Sequence, residues 1–230
     1  MATPIPFTPF RFFDLPSELR IRIYEYHLLT PDIIDLDPQN HKQILPRFNV
    51  FYACRRMHEE AFRVFYGGNT FRLFPTHGRF INTKWPLLSR MPARYRSAIH
   101  TIELCLGPGW NKPPQGWKIE PHLGLEDMRS LKRLRIFIQM DPASSPVFSE
   151  FCISREYYTL FCVDLLSGIM SNADGIDLVK FEAFPSVDQY GPLMSALVEE
   201  IKTRGKLVKY GPFQGWVEGC LTMKGQFLVK

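Results

Sequence analysis

One spacing of apolar residues recurs along the second half of the chain and constrains its fold more than any other feature. An apolar residue is followed, after two positions, by three more apolar residues at every second position. The three copies are Ile99, Ile102, Leu104 and Leu106; Leu131, Leu134, Ile136 and Ile138; and Ile176, Val179, Phe181 and Ala183. Side chains of a strand alternate between its two faces, so each copy predicts a strand with one buried face. Residues 207–210 are a weaker fourth candidate.

Helical stretches follow the second and third of these copies. They cover residues 155–172 and residues 189–204. Strands that alternate with helices are joined by right-handed crossovers within a mainly parallel sheet. The pattern therefore predicts an α/β fold with a mainly parallel sheet. Two stretches rich in proline, residues 107–121 and 140–150, are predicted to be irregular.

The first predicted helix covers about residues 16–28. Pro16 suits a first helical turn, and the side chain of Asp14 is expected to cap the first backbone N–H groups. Apolar residues recur at helical spacing along one stripe: Leu15, Leu19, Ile23 and Tyr26. Such a stripe is buried by default in the protein's own core, and the alternative is that it docks on a partner. The sequence leaves both interpretations open.

A second helix and two short strands complete the N-terminal half. Residues 32–37 alternate loosely between two prolines and predict a short strand, and residues 70–74 predict another. The second helix is predicted from one continuous apolar stripe over four turns, formed by Val50, Cys54, Met57, Ala61 and Phe65. Because Cys54 lies on this stripe, its thiol is expected to be buried and inert.

Charge and cysteine usage narrow the class of protein. The 230 residues hold 28 Lys and Arg against 23 Asp and Glu, and we find no run of five like charges. A net charge of +5 is an ordinary surplus at this length, so a nucleic-acid partner is not expected. The five cysteines include no C-x-x-C pair, which suits a reducing compartment better than a disulfide framework.

The N-terminus and the hydropathy of the chain bear on its location. Residues 1–9 lack the features of a secretory signal and are expected to form a disordered tail. No apolar stretch approaches the ~18 residues needed to span a bilayer. We expect a cytoplasmic or nuclear protein with no membrane partner.

Motifs of catalytic or phosphate-binding loops do not occur in the chain. Cys54 and His58 have the spacing of a thiolate–imidazole pair on a helix, but a structural role is favoured for a cysteine on an apolar stripe. Asp35 and Asp37 would share one face of a strand, where carboxylates more commonly solvate an edge than perform acid–base chemistry. We therefore predict no catalytic residue, no cofactor and no metal site; an enzyme of unrecognised type is the least favoured class.

Two tryptophans stand in the Pro- and Gly-rich stretch after the first strand copy. Trp110 and Trp117 either fold back over the end of the sheet as plugs or anchor a partner protein. Binding surfaces of parallel α/β sheets lie at the carboxyl ends of strands, and Gly107 follows such an end. Both tryptophans are therefore candidate partner-binding residues.

The N-terminal motifs resemble those of a known family. Residues 13–19 read F-D-L-P-S-E-L and are followed by Ile23, which resembles the start of an F-box. A second block resembles the C-R…E-A…Y…N-x-F pattern of a large group of fungal F-box-like proteins. It runs through Cys54-Arg55, Glu60-Ala61, Phe65-Tyr66 and Asn69-Thr70-Phe71. The three strand copies resemble leucine-rich repeats, which often follow an F-box, although they are spaced more widely and less evenly than a regular array.

This resemblance implies a domain organisation and a function. It implies an F-box-like helical unit over residues 10–74 and a degenerate leucine-rich-repeat-like α/β domain over residues 75–230. It further implies a substrate adaptor of a cullin–RING ubiquitin ligase, which docks the ligase's small adaptor subunit and holds a substrate protein. Carried over by position, the docking residues are Leu15, Pro16, Glu18, Leu19 and Ile23. The alternative is a structural or self-associating interaction module without a link to ubiquitin ligation.

Overall fold

The computed structural model describes residues 10–35, 42–73, 87–107, 119, 121–141 and 155–211. The helices are α1 (Ser17–Leu28), α2 (Asn49–Ala53), α3 (Arg55–Gly68), α4 (Leu87–Arg90), α5 (Ala93–Arg96), α6 (Arg155–Asn172) and α7 (Pro192–Thr203). The strands are β1 (Thr70–Leu73), β2 (Thr101–Leu106), β3 (Arg133–Ile138), β4 (Leu178–Ala183) and β5 (Leu207–Tyr210). Short 3₁₀ turns lie at Phe12–Asp14, Leu45–Phe48, Pro121–Leu123 and Leu125–Asp127.

The five strands form one parallel sheet in the order β1-β2-β3-β4-β5. This confirms the predicted α/β class. Strands β2, β3 and β4 coincide with the alternating parts of the three sequence copies, and β5 lies at the weaker fourth candidate. Equivalent positions of the copies are register partners, since Ile102 pairs with Leu134 and Leu134 with Val179. The repeated spacing therefore places like residues in one row across the sheet.

One hydrophobic core runs through the described residues. Parallel strands that follow one another in chain order, joined by right-handed crossovers, place their connections on the same face of the sheet. The buried residues of that face join those of the helices in a single cluster that extends from Tyr24 of α1 to Ile201 of α7. Strand β1, which follows α3 directly, pairs with β2. Residues on both sides of position 74 thus share one core.

The second helix is interrupted at Cys54, so the prediction of one continuous helix is wrong. Cys54 is extended, with φ −164° and ψ 165°, and separates α2 from α3. Its sulfur accepts a hydrogen bond from the Met57 N–H at 3.4 Å and so caps α3. The thiol is exposed rather than buried. A residue that caps a helix lies off the helical stripe, because its backbone has left the helical conformation.

Two smaller predictions near α1 are also corrected. The expected strand at residues 32–37 is, within the described residues, a single parallel bridge between Ile34 and Phe71. Asp14 does not cap α1, because Pro16 takes the capping position without a side-chain hydrogen bond and the Asp14 carboxylate lies 3.9 Å from Arg11. The start of α1 is held instead by Phe12, whose ring centre lies 5.6 Å from that of Tyr24.

Candidate protein-docking surface

Helix α1 turns its apolar stripe to solvent. Leu19 is 51% exposed, Ile23 45% and Tyr26 94%, while Leu15 is half-buried. The buried residues of the opposite face are Arg20, Tyr24 and Leu28. The default expectation that the stripe belongs to the protein's own core is therefore wrong for Leu19 and Ile23.

An ion pair with α3 sets this orientation. Arg20 Nε donates to Glu60 Oε2 at 2.8 Å, and Arg20 Nη2 donates to Glu60 Oε1 at 2.9 Å. The third nitrogen, Nη1, donates to the Leu15 carbonyl at 2.5 Å, and the Tyr24 hydroxyl donates to Glu60 Oε2 at 3.3 Å. A charged group withdrawn from water needs such partners. Since Arg20 and Tyr24 both face α3 from adjacent turns of α1, Leu19 and Ile23 face away from it.

The electrostatics of this contact favour the charged pair. The hydrogen bond from Arg20 holds the pKa of the Glu60 carboxyl below its ordinary value. Burial, and then the charge of Glu60, raises the pKa of Tyr24 to about 12. At neutral pH Glu60 is therefore ionised, and the Tyr24 hydroxyl keeps the proton that it donates.

A buried asparagine joins the C-terminal ends of the two helices. Asn69 is 1% exposed. Its Nδ2 donates to the Leu28 carbonyl at 3.1 Å and to the Phe65 carbonyl at 2.9 Å. Its Oδ1 accepts from the Thr30 N–H at 2.9 Å. Carbonyl groups at helix ends lack intrahelical partners, so one side chain satisfies the end of α1 and the end of α3 together.

We define the α1 surface as Leu15, Leu19, Arg22, Ile23 and Tyr26, which line one shallow depression. Pro16 and Glu18 are exposed at its N-terminal end. The pKa of the Glu18 carboxyl is lowered by a hydrogen bond from its own backbone N–H and then by the Ser17 hydroxyl. The surface is thus an apolar patch on α1, with the Glu18 carboxylate at one end and the Arg22 guanidinium on its flank.

The five F-box-like docking residues predicted from sequence therefore lie together on and just before α1. Trp110 and Trp117 lie outside the described residues. Sequence reasoning missed Arg20 and Glu60, which hold the surface in place. The available signals were an arginine directly after the stripe residue Leu19 and a glutamate directly before the buried Ala61.

The candidate chemical groups of the N-terminal half are engaged elsewhere. His58 Nδ1 lies 3.2 Å from the Phe51 carbonyl oxygen, and Nε2 lies 2.9 Å from the Tyr95 hydroxyl, so the imidazole is not directed at the Cys54 thiol. Asp35 lies 3.3 Å from Arg72. Among the described residues, no group of three or more His, Cys, Asp or Glu side chains is placed to hold a metal ion.

Comparisons with protein-family models, with curated proteins and with solved structures found no match. Within the described part of the chain, none of the helices has both the length and the apolar character needed to cross a membrane.

Proposed function

We propose that the protein is a protein-interaction adaptor and that the α1 surface binds its partner. The observation that carries this proposal is the orientation of α1, which buries Arg20 together with Tyr24 and Leu28 while it exposes Leu19 and Ile23. An amphipathic helix stabilises a fold by burying its apolar stripe, so the reverse arrangement gives up stability within the chain. A contiguous exposed apolar patch on a protein surface marks an interaction site.

The F-box-like resemblance supplies the identity of the partner in this proposal. It is the small adaptor subunit of a cullin–RING ubiquitin ligase, docked by Leu15, Pro16, Glu18, Leu19 and Ile23. In the same proposal the helices before β1 are an F-box-like unit, and the rest is an irregular leucine-rich-repeat-like array that holds a substrate protein. The chain-order parallel sheet supports this part, because such arrays add one parallel strand per repeat.

The test compares binding of the purified ligase adaptor subunit to the wild-type chain and to variants of the α1 surface. Leu19→Asp and Ile23→Asp place a carboxylate at positions where the side chain is about half exposed. Each is expected to cost about 1 kcal/mol of stability, from the lost half-burial and the lower helix propensity of aspartate. Binding is expected to weaken at least tenfold, since truncation of a central apolar contact costs about 2 kcal/mol or more. Circular dichroism and the urea midpoint establish that the variants are folded.

Leu160→Asp is the matched control, because Leu160 is a 60% exposed leucine on another helix, α6. It is expected to bind as the wild type does. Equal binding by the wild type and by Leu19→Asp would refute the proposed surface. A chain that fails to bind the adaptor subunit but forms a dimer by light scattering, lost in Leu19→Asp, would establish self-association through the same surface instead.

A further inference from the structure

A row of charged side chains crosses the sheet on the face opposite the core residues of the strands. Its members are register partners from β1 to β5: Arg72, Glu103, Arg135, Lys180 and Lys209. Carboxylates pair with the cations of this row on β1, β3 and β4. Glu103 lies 2.8 Å from Arg72, and Glu182 lies 2.9 Å from Arg135 and 2.7 Å from Lys180. Opposite charges on neighbouring strands stabilise their pairing.

The β1 edge of the sheet is closed by a short extended segment. The Ile34 N–H donates to the Thr70 carbonyl at 2.9 Å, and the Ile34 carbonyl accepts from the Arg72 N–H at 2.9 Å. The next residue, Asp35, places its carboxylate 3.3 Å from Arg72 at the end of the charged row. The β1 edge therefore binds a segment that runs parallel to the strand and carries an apolar residue followed by an acidic residue.

Among the described strands, β5 forms the other edge of the sheet and also carries a cation of the charged row. Leu207 donates its N–H to Asp177 and Gly211 donates its N–H to Phe181, both toward β4. Because successive residues of a strand direct their backbone groups to opposite sides, the N–H and carbonyl of Val208 point away from the sheet. Leu207 is 66% exposed, Lys209 is exposed, and Lys209 forms no ion pair with any described residue.

We propose that the outer edge of β5 binds an extended acidic segment of a partner protein by parallel strand addition. Main-chain hydrogen bonds to Val208 supply affinity, and two side chains supply specificity: a carboxylate opposite Lys209 and an apolar residue beside Leu207. The carboxylate pairs with the last cation of the row, as the Asp35 carboxylate pairs with Arg72 at the β1 edge. This binding site is separate from the α1 surface and does not depend on its partner.

The probe is a fluorescein-labelled peptide with the sequence of residues 32–37, Asp-Ile-Ile-Asp-Leu-Asp. Aligned parallel to β5, it places Ile33 beside Leu207 and Asp35 opposite Lys209. Its binding to the full chain is followed by fluorescence anisotropy at protein concentrations up to the millimolar range. Lys209→Glu is expected to weaken binding roughly three- to tenfold, because it replaces an exposed attraction by a repulsion. Lys202→Glu, an equal change of net charge at an exposed position on α7, is the control and is expected to bind as the wild type does.

A charge exchange decides the outcome. A peptide in which Asp35 is replaced by lysine is expected to bind Lys209→Glu more tightly than it binds the wild type. No binding of the acidic peptide to the wild type would overturn the proposal, as would equal weakening by Lys202→Glu. Self-association of Lys209→Glu without a change in peptide binding would also overturn it, because the lysine would then act only to keep sheet edges of two copies apart. Leu19→Asp is expected to bind the peptide normally, which separates this result from that of the α1 surface.

Discussion

Replacing Asn69 with alanine is expected to destabilise the protein by roughly 2–6 kcal/mol. The Phe65 carbonyl would keep one donor, the Asn69 backbone N–H at 3.2 Å. The Leu28 carbonyl and the Thr30 N–H would each lose the side-chain partner that Asn69 provides. A buried polar group left without its partner costs about 1–3 kcal/mol, and two such groups give the stated range.

Urea unfolding followed by circular dichroism at 222 nm measures this loss. With a slope of about 2 kcal/mol/M, the midpoint is expected to fall by roughly 1–3 M. Asn172→Ala is the matched control, because Asn172 is a half-buried asparagine whose amide makes, among the described residues, one hydrogen bond, to the Gly168 carbonyl at 2.8 Å. It is expected to cost about 1 kcal/mol or less.

Asn69→Asp tests the direction of the hydrogen bonds. An ionised aspartate can still accept from Thr30 but has no hydrogen to donate to the Leu28 and Phe65 carbonyls. The loss of stability of Asn69→Asp relative to the wild type is expected to be smaller at acid pH, where the protonated carboxyl group can donate a hydrogen bond to one of the two carbonyls. The reasoning fails if Asn69→Ala costs no more than Asn172→Ala, or if Asn69→Asp is as stable as the wild type at pH 7.

Two further predictions concern pH and backbone conformation. Because the folded pKa of Glu60 is held below its ordinary value of 4.5, its contribution to stability is present above that value and is lost as the pH falls through the folded pKa. Glu60→Gln is therefore expected to be less stable than the wild type at pH 7, with a difference that narrows in thermal unfolding curves as the pH falls below 4.5. Gly124 and Gly205 both have φ +67°, but a Cβ at Gly124 would meet the Arg96 guanidinium, whereas one at Gly205 would meet nothing within 4 Å. Gly205→Ala is expected to cost about 1 kcal/mol from backbone strain alone, and Gly124→Ala to cost more; equal urea midpoints for the two variants would contradict this.

The strands could be predicted from the sequence because their signal is local and repeated. Each copy carries its own alternation, so β2, β3 and β4 follow from residues within a few positions of one another. Helix α6 could be predicted for the same reason, with its bounds at Arg155 and Asn172. The break at Cys54 could not be predicted, because the apolar residues on both sides of it continue the helical spacing. Only the backbone conformation of Cys54 separates α2 from α3.

Periodicity also located the stripe of α1 but did not decide which way it faces. Leu19 and Ile23 on one side, and Tyr24 and Leu28 on the other, are both credible buried faces. The exposed face carries the candidate docking residues. The sequence therefore left open whether the residues of the α1 surface are accessible to a partner.

The sequence by itself determined strands β2, β3 and β4 and helix α6, because alternation and helical spacing are properties of neighbouring residues. The tertiary structure alone decided that α1 buries Arg20, since the partner of that arginine, Glu60, is 40 positions away in the chain. It likewise decided that the Asn69 side chain donates a hydrogen bond to the Leu28 carbonyl at the end of α1, since Leu28 lies 41 positions earlier in the chain. An apolar stripe is buried only when no buried polar contact holds the opposite face inward, and such a contact forms between residues that no local pattern connects.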